Sequence, residues 1–461
     1  MQEYKFSIVP WISWKTYIVK GIQTTIIFEQ RTECYYLLDD ALSVCWNDIQ
    51  NKSSISLSEI QNLSLIFLDG IITLEQSEIQ YDNFSSSIIK SKELPEYFLN
   101  NIKINGYILD VHWDLTNRCN AKCVHCYNSH AHDGTRNNSK DELSFNEAIK
   151  LVDNLDHLGV FRIVLSGGEA STKEYFLDLC DYIRRKHINL IIYSNGLLLN
   201  TTTIRKLSNI YPYSVCISTY GPNSSIHDAI TQVKGSYKKV LCCFKELNQC
   251  QIHTCHKNTL LSLNYKYWHE TYQKGCLISN NSMINVTIYP SMDNGKLTQY
   301  SLNEDQLLEF ALTEGSPIDY RTNKIGACNI HKDKNESPCY DVTNQLYISP
   351  RGEIYPCIAA PYKIADFRDG TLEELRYYKK NNDFQMSTNN MTCCEILNNW
   401  RSLKISDLKE CGKYDYCKFC IDVCPGDAFL MYGDYLVAPK NHCLIAIARY
   451  KAYNINNTNE Q

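Results

Sequence analysis

The chain has 461 residues, enough for roughly two to four domains that each bury a core. A formal net charge of -5 offers no basic surface for nucleic acid or an anionic membrane. Twenty-two cysteines in a chain this long exclude a small disulfide-stapled scaffold and favour metal ligation. The start, Met-Gln-Glu-Tyr-Lys-Phe, has no basic n-region and no long apolar run. Leu63 to Leu74, the most lipid-like stretch, is too short to span and is interrupted by Asp69. The expectation is a cytoplasmic protein.

Taken in order, Thr24 to Gln30 and Cys34 to Leu38 are β-rich runs separated by Arg31-Thr32-Glu33, which predicts a hairpin. Asp39-Asp40 then caps a helix reaching Ile49, and Ser56-Leu-Ser-Glu-Ile60 opens another. From Gly106 the pattern alternates β and α. Strands are expected at Tyr107–Leu115, Arg162–Ser166, Leu190–Ser194, Ser214–Thr219, within His253–Leu263, and at Ile284–Tyr289. Ser144-Phe-Asn-Glu147 is a capping box whose helix Gly159 ends, and Asn303 to Leu312 is the last helix of this region. Six β/α units predict a partly open parallel barrel with its chemistry at the C-terminal strand ends. The polar stretch Asn454 to Gln461 is expected to fray.

The densest chemistry follows the first of these strands. Cys119-Asn-Ala-Lys-Cys123-Val-His-Cys126-Tyr127 places three thiols in one loop. A cubane [4Fe–4S] takes four thiolates, so three leave one iron with an open position. A structural zinc loop or unrelated core thiols are the alternatives. Ser166-Gly167-Gly168-Glu169 follows the second strand, Ser194-Asn195-Gly196 the third, and Ser218 ends the fourth. Paired glycines let backbone approach a ligand, and a Glu can hold an ammonium. His227-Asp228 fits a loop-to-helix capping pair better than a catalytic dyad. Cys180, Cys216, Cys242, Cys243, Cys250, Cys255 and Cys276 are scattered and read as small buried hydrophobes.

Beyond residue 320 lies a second cysteine field. Cys328 and Cys339 precede Ile348-Ser-Pro-Arg-Gly-Glu-Ile-Tyr-Pro-Cys357, which fits a hairpin turning at Pro350–Gly352. Cys411, Cys417, Cys420, Cys424 and Cys443 follow, with Cys393-Cys394 left over. Zinc is the competing metal here, because Cys417-x2-Cys420 is also a zinc-knuckle spacing.

The Cys119/Cys123/Cys126 triplet with Tyr127, followed by Gly167-Gly168-Glu169, resembles the signature of the radical S-adenosylmethionine (SAM) superfamily. That resemblance implies an α/β fold, a partial (β/α)6 barrel in residues 101–320. In it a [4Fe–4S] cluster on the triplet binds SAM, with Tyr127, Gly167, Gly168, Glu169, Asn195 and Ser218 around the cofactor. Residues 321–461 resemble the SPASM extension, which houses two auxiliary [4Fe–4S] clusters. Cys328, Cys339, Cys357, Cys411, Cys417, Cys420, Cys424 and Cys443 supply the eight thiolates two cubes require. The family usually orders its later cysteines C-x2-C-x5-C-x3-C, whereas this chain has C-x5-C-x2-C-x3-C, which leaves the partition between clusters open.

Residues 1–100 resemble the RiPP recognition element, a winged-helix-like domain that binds the leader of a ribosomally made precursor peptide by adding it as a strand. The implied activity is peptide maturation: hydrogen abstraction by a 5′-deoxyadenosyl radical and formation of a thioether or C–C cross-link. Implied partners are the precursor and an electron donor such as flavodoxin or ferredoxin. A formylglycine-forming sulfatase maturase and a non-catalytic iron–sulfur or zinc scaffold are the rival readings. No catalytic acid or base is assigned by spacing.

Overall fold

The computed structural model describes residues 3–19, 21–75, 88–127, 141–286, 290, 296–314, 318–319, 324–325, 335, 337–339, 345–360, 363–370, 372, 375, 393–420 and 423–458. Cys328 lies outside the described residues. Among them, no helix is long and apolar enough to cross a membrane.

The N-terminal unit contains β1 (Glu3–Ile8), β2 (Ile12–Val19), β3 (Ile22–Glu29), β4 (Cys34–Asp39), α1 (Ala41–Ile49), β5 (Ser54–Ser56), α2 (Leu57–Asn62), α3 (Ser64–Leu68), β6 (Ile72–Leu74), β7 (Ile89–Ser91) and α4 (Glu96–Ile104). The expected hairpin is present as β3–β4, the middle of an antiparallel sheet ordered β2-β3-β4-β7. A smaller sheet, β5-β1-β6, sits beside it. Ile26-Ile27-Phe28 is continuously apolar because both faces of β3 are covered. Ile27 packs with Trp46 and Ile49 of α1, while Ile26 and Phe28 pack with Phe98 and Ile102 of α4 and with Leu109 and Phe161. The α1 cap differs from expectation. Asp40 stands at the N-cap with φ 45 and makes no side-chain cap, because its N–H donates to Gln23 O at 2.8 Å and the hairpin sets its backbone.

The barrel follows as β8 (Asp110–Asp114), α5 (Phe145–His157), β9 (Arg162–Ser166), α6 (Phe176–Arg185), β10 (Asn189–Ser194), α7 (Thr201–Ile210), β11 (Ser214–Ser218), α8 (Ser224–Thr231), α9 (Ser236–Gln249), β12 (Thr254–Thr259), α10 (Trp268–Ile278), β13 (Asn281–Asn285) and α11 (Glu304–Glu314). Strands β8 to β13 are parallel and lie side by side in chain order. Sequential order with right-handed crossovers puts the helices on one face, which is the geometry of a barrel and not of a doubly wound sheet. Val111, Trp113, Ile163, Leu165, Leu190, Ile192, Val215 and Ile217 face the helices in one core. Alternate residues, among them His112, Asp114, Tyr193, Cys216, Cys255 and Lys257, therefore face the interior. Tyr107 and Leu109, expected in the first strand, instead pack into the N-terminal unit, while Ile108 between them joins the barrel core.

The remainder holds β14 (Ile318–Asp319), β15 (Lys324–Ile325), β16 (Gln345–Ile348), β17 (Glu353–Tyr355), β18 (Ala365–Asp366), α12 (Cys393–Ser402), α13 (Pro425–Tyr432) and α14 (Lys440–Thr458). The hairpin before Cys357 is the β16–β17 pair, turned at Gly352 with φ 86. The sequence does not announce where it goes. β16 adds parallel to β8, Gln345 opposite Asp110 and Tyr347 opposite His112, so the barrel sheet runs on into the Cys-rich region. At the other edge, Ile445, Ala448 and Ala452 of α14 pack with Leu307 and Phe310 of α11 and Ile284 of β13. That contact keeps the C-terminus helical to Thr458, past the Asn454 where fraying is expected.

Buried polar contacts fix the N-terminal unit to the barrel, the largest set of them made by Arg184. Arg184, at the end of α6, donates to Ser13 Oγ at 2.7 Å and to the carbonyls of Ile188, Pro10 and Ile12 at 2.7, 3.1 and 2.8 Å. Burial pulls its pKa down to about 10, still charged at neutral pH. Tyr17 OH donates to Gly159 O at 2.9 Å, and Lys15 pairs with Asp156. Arg184→Ala leaves buried carbonyls without a donor and is expected to lose on the order of 3 kcal/mol. Thermal unfolding should show this, with proteolytic release of the N-terminal unit, whereas exposed Arg185→Ala should change little.

Candidate active site

The loop after β8 brings Cys119, Cys123 and Cys126 together, and each is half-buried. Burial pushes the Cys119 and Cys123 thiols up, and the neighbouring Cys126 and Cys119 push Cys123 further. Three crowded thiols held protonated form a donor set that ionises when a metal supplies the positive charge. In kind this donor set suits an iron–sulfur cluster, although among the described residues no three ligands are close enough to hold a single metal ion.

The loop is gripped from several sides. Glu142 accepts from Thr116 Oγ1 and Asn117 N, both at 2.9 Å, and pairs with Lys173 at 2.6 Å. Gly168 N donates to Thr116 O at 2.7 Å and Glu169 N to Arg118 O at 2.8 Å. A Cβ on Gly167 would lie 2.4 Å from Thr116 O, and one on Gly168 2.3 Å from Arg118 O. The paired glycines therefore admit the loop's own backbone. On the far side, Lys122 N and Val124 N donate to Thr231 O and Ile230 O at the end of α8.

Each expected cofactor residue has a definite place. Glu169 is 1 % exposed, and its carboxylate accepts from Ser171, from Ser194 Oγ at 2.8 Å and from Asn195 N at 2.7 Å. Burial raises its pKa. Asn195 Nδ2 donates to Asn120 Oδ1 at 2.7 Å and lies 3.8 Å from Cys119 Sγ, tying the end of β10 to the thiol loop. Ser218 hydrogen-bonds Tyr220. Tyr127 lies beside Tyr347 of β16. Asp228 caps α9 through Gly235 N at 2.6 Å and Tyr237 N at 2.9 Å, while His227 Nδ1 accepts from Tyr220 N. Asp228 caps as expected, whereas His227 makes no cap and instead accepts from the backbone of Tyr220.

Tyr220 and His125 are absent from the sequence reading. Tyr220 is half-buried against the thiol loop, its ring 4.6 Å edge-on from His125 and 5.7 Å from His227. Burial pulls the His125 pKa down to about 4, so it packs as a neutral ring between two of the thiols. No motif marks this wedge. It appears only once β11 places Tyr220 opposite the loop.

The later cysteines fall into two groups. Cys424, half-buried at the N-cap of α13, has its thiol pKa pushed up by desolvation and by Asp427, Cys357 and Cys339, and it shares an apolar cluster with the latter two. Cys411, Cys417, Cys420 and Cys443 line a separate small void of about 20 Å³ with Tyr416, Val423 and His442. Cys424 thus stands beside the earlier pair and apart from the four that line the void. Cys242 and Cys276 are exposed, contrary to the expectation of buried packing, because they lie on outer faces of α9 and α10.

Residues 113–274 match the Radical SAM superfamily. The Fe-coproporphyrin III synthase of Methanosarcina barkeri is 34% identical over 161 residues, 35% of this chain and 38% of that protein. Mycofactocin maturase MftC of Mycolicibacterium smegmatis is 30% identical over 136 residues, 30% of this chain and 33% of that protein. The matched stretch thus spans about a third of each relative's length. Streptococcus suis SuiB bound to precursor peptide SuiA shares the fold with a TM-score of 0.52 at 13% identity, over 95% of this chain and 99% of that chain.

Gly168→Ala is expected to push the loop off the end of β9. The variant should fold with the other thiol groups intact but take up markedly less iron at the triplet, measured by iron content after anaerobic reconstitution. The thiol loop and the glycine pair that seats it both lie within residues 113–274, the stretch that matches the Radical SAM superfamily.

Proposed function

We propose that this chain is a radical SAM peptide maturase that cross-links a ribosomally made precursor. The observation that carries the reading is the threefold grouping of thiols: a loop of three, a set containing Cys339, Cys357 and Cys424, and a void lined by four. Cys119, Cys123 and Cys126 would hold one [4Fe–4S] cluster with SAM at its open iron. Cys339, Cys357 and Cys424, with Cys328, would hold a second, and Cys411, Cys417, Cys420 and Cys443 a third. When bound, these groups supply reductive cleavage of SAM, a radical able to abstract hydrogen from carbon, and a path for the surplus electron.

The protein's own contribution is placement. Glu169, with Gly167, Gly168, Asn195, Ser218 and Tyr127, would line the SAM site, the glycines by seating the loop and Asn195 by fixing its first thiol. Tyr220 and His125 exclude water from the far side of the loop. The inward residues of β8, β10, β12 and β16 would face a peptide held in the barrel.

The leader-binding role of the N-terminal unit is part of the proposal. The likeness to SuiB extends over 95% of this chain, which takes in most of residues 1–100. Trp14 N donates to His187 O at the β2 edge, so the barrel covers part of that edge. Strands β5, β6 and β7 each pair on one side among the described residues, and a leader would add to one of them. A cytoplasmic location and a flavodoxin- or ferredoxin-type donor complete the reading.

Anaerobically reconstituted protein should bind about twelve irons, and the Cys119/Cys123/Cys126→Ala variant about eight. Cys424→Ala and Cys420→Ala should each lose about four, and their combination about eight, because they serve different groups. With reductant, SAM and a short Cys-rich precursor, the product should lose two hydrogens per cross-link by mass. About four irons with zinc at the later thiols would overturn the auxiliary-cluster part.

A further inference from the structure

The barrel interior carries a continuous polar belt across four strands. Lys257 Nζ of β12 lies 3.7 Å from the ring centroid of Tyr193 in β10, whose ring meets His112 of β8 edge-on at 5.9 Å. His112 Nε2 lies 3.3 Å from Asp114 Oδ1, and Asp114 Oδ2 accepts from Tyr347 OH of β16 at 3.0 Å. Asp114 is 1 % exposed, at the C-terminal end of β8, where the thiol loop begins.

Asp114 could simply latch β16 to β8. A latch explains Oδ2 but not Oδ1. Both Asp114 Oδ1 and His112 Nε2 are buried without hydrogen-bond geometry to any described residue, although they face each other. Oδ1 thus stands at ion-pair distance from His112 Nε2 but accepts no hydrogen bond from it, and keeps the capacity to accept one. Burial and Asp114 hold the Tyr347 hydroxyl pKa far above its ordinary value, so Tyr347 stays a donor and keeps its partner oriented.

We propose that Asp114 is the base that receives the proton leaving the peptide as the cross-link closes, with Tyr347 and His112 as positioning residues. The assignment rests on the maturase reading. After hydrogen abstraction the peptide holds a carbon radical and a second group, X–H, a thiol or a carbon. The C–X bond forms and the X–H bond breaks, its proton going to Asp114. One electron leaves to a one-electron acceptor of the iron–sulfur class. A carboxylate becomes a carboxylic acid, and charge and atoms balance.

The test compares wild type, Asp114→Asn, Asp114→Glu and Tyr347→Phe holoenzymes with a precursor peptide that the wild type converts. SAM binding is read from its perturbation of the cluster's electron paramagnetic resonance signal, beside 5′-deoxyadenosine and cross-linked peptide. Asp114→Asn should bind SAM and make 5′-deoxyadenosine within about twofold of wild type, while cross-link per 5′-deoxyadenosine falls roughly 100-fold or more. Asp114→Glu should recover part of that ratio, and Tyr347→Phe should lower it by about tenfold. An unchanged ratio in Asp114→Asn overturns the assignment, as does a parallel loss of SAM binding, 5′-deoxyadenosine and product. Should Asp114→Asn fail to take up iron, wild-type ratios in both other variants overturn it. A wild type that makes 5′-deoxyadenosine but converts no peptide overturns the maturase reading, and the assignment falls with it.

Discussion

Two missing side chains decide where the chemistry of this molecule sits. The backbone of residues 116–118 passes so close to Gly167 and Gly168 that a single added carbon on either would meet a carbonyl oxygen at 2.4 or 2.3 Å. Because the passage is open, the loop can donate and accept along its length, and Glu169 is drawn under it. Glu169 then holds Ser194 and Asn195, and Asn195 reaches back to Asn120 and the first thiol. The ends of three strands are thereby fastened around one loop. Neighbouring thiols repel as they ionise, so this fastening has to come from backbone and amide bonds, not from the sulfur atoms.

Much of this was legible in the chain. The capping box at Ser144 and Glu147, the hairpin before Cys357 and the strand at Arg162–Ser166 are local, each written in a few adjacent residues. The triplet of cysteines and the glycine pair are local too. Features made by distant residues were not legible. No residue in Gln345–Ile348 states that it will pair with β8, and nothing near Tyr220 states that it will wedge against His125. The interior belt of His112, Asp114, Tyr193, Lys257 and Tyr347 is invisible for the same reason, since its members come from four strands. The order of the later cysteines left their grouping open along the chain; in the fold Cys424 stands beside Cys339 and Cys357.

A partial barrel has two open sides, and both are occupied here by the region after the barrel. On one side β16 extends the sheet from β8; on the other α14 covers α11 and β13. Beneath, the four-stranded sheet of the N-terminal unit sits on Leu109 and Phe161 and is held by Arg184. The six-stranded core therefore has no face that is structurally independent of its neighbours. Substitutions in the Cys-rich region that disturb β16 act directly on the strand that leads into the first thiol loop.

The pairing of β16 with β8 also sets a clock on folding. The two strands lie more than two hundred residues apart in the chain. At ribosomal rates of roughly 5–20 residues per second, β8 waits on the order of ten seconds or longer with one ladder of amides and carbonyls unmatched. An unmatched strand edge on a growing apolar sheet recruits other chains. Low temperature during synthesis, which slows intermolecular encounter, should favour recovery of folded protein more than it would for a barrel whose strands are all neighbours in sequence.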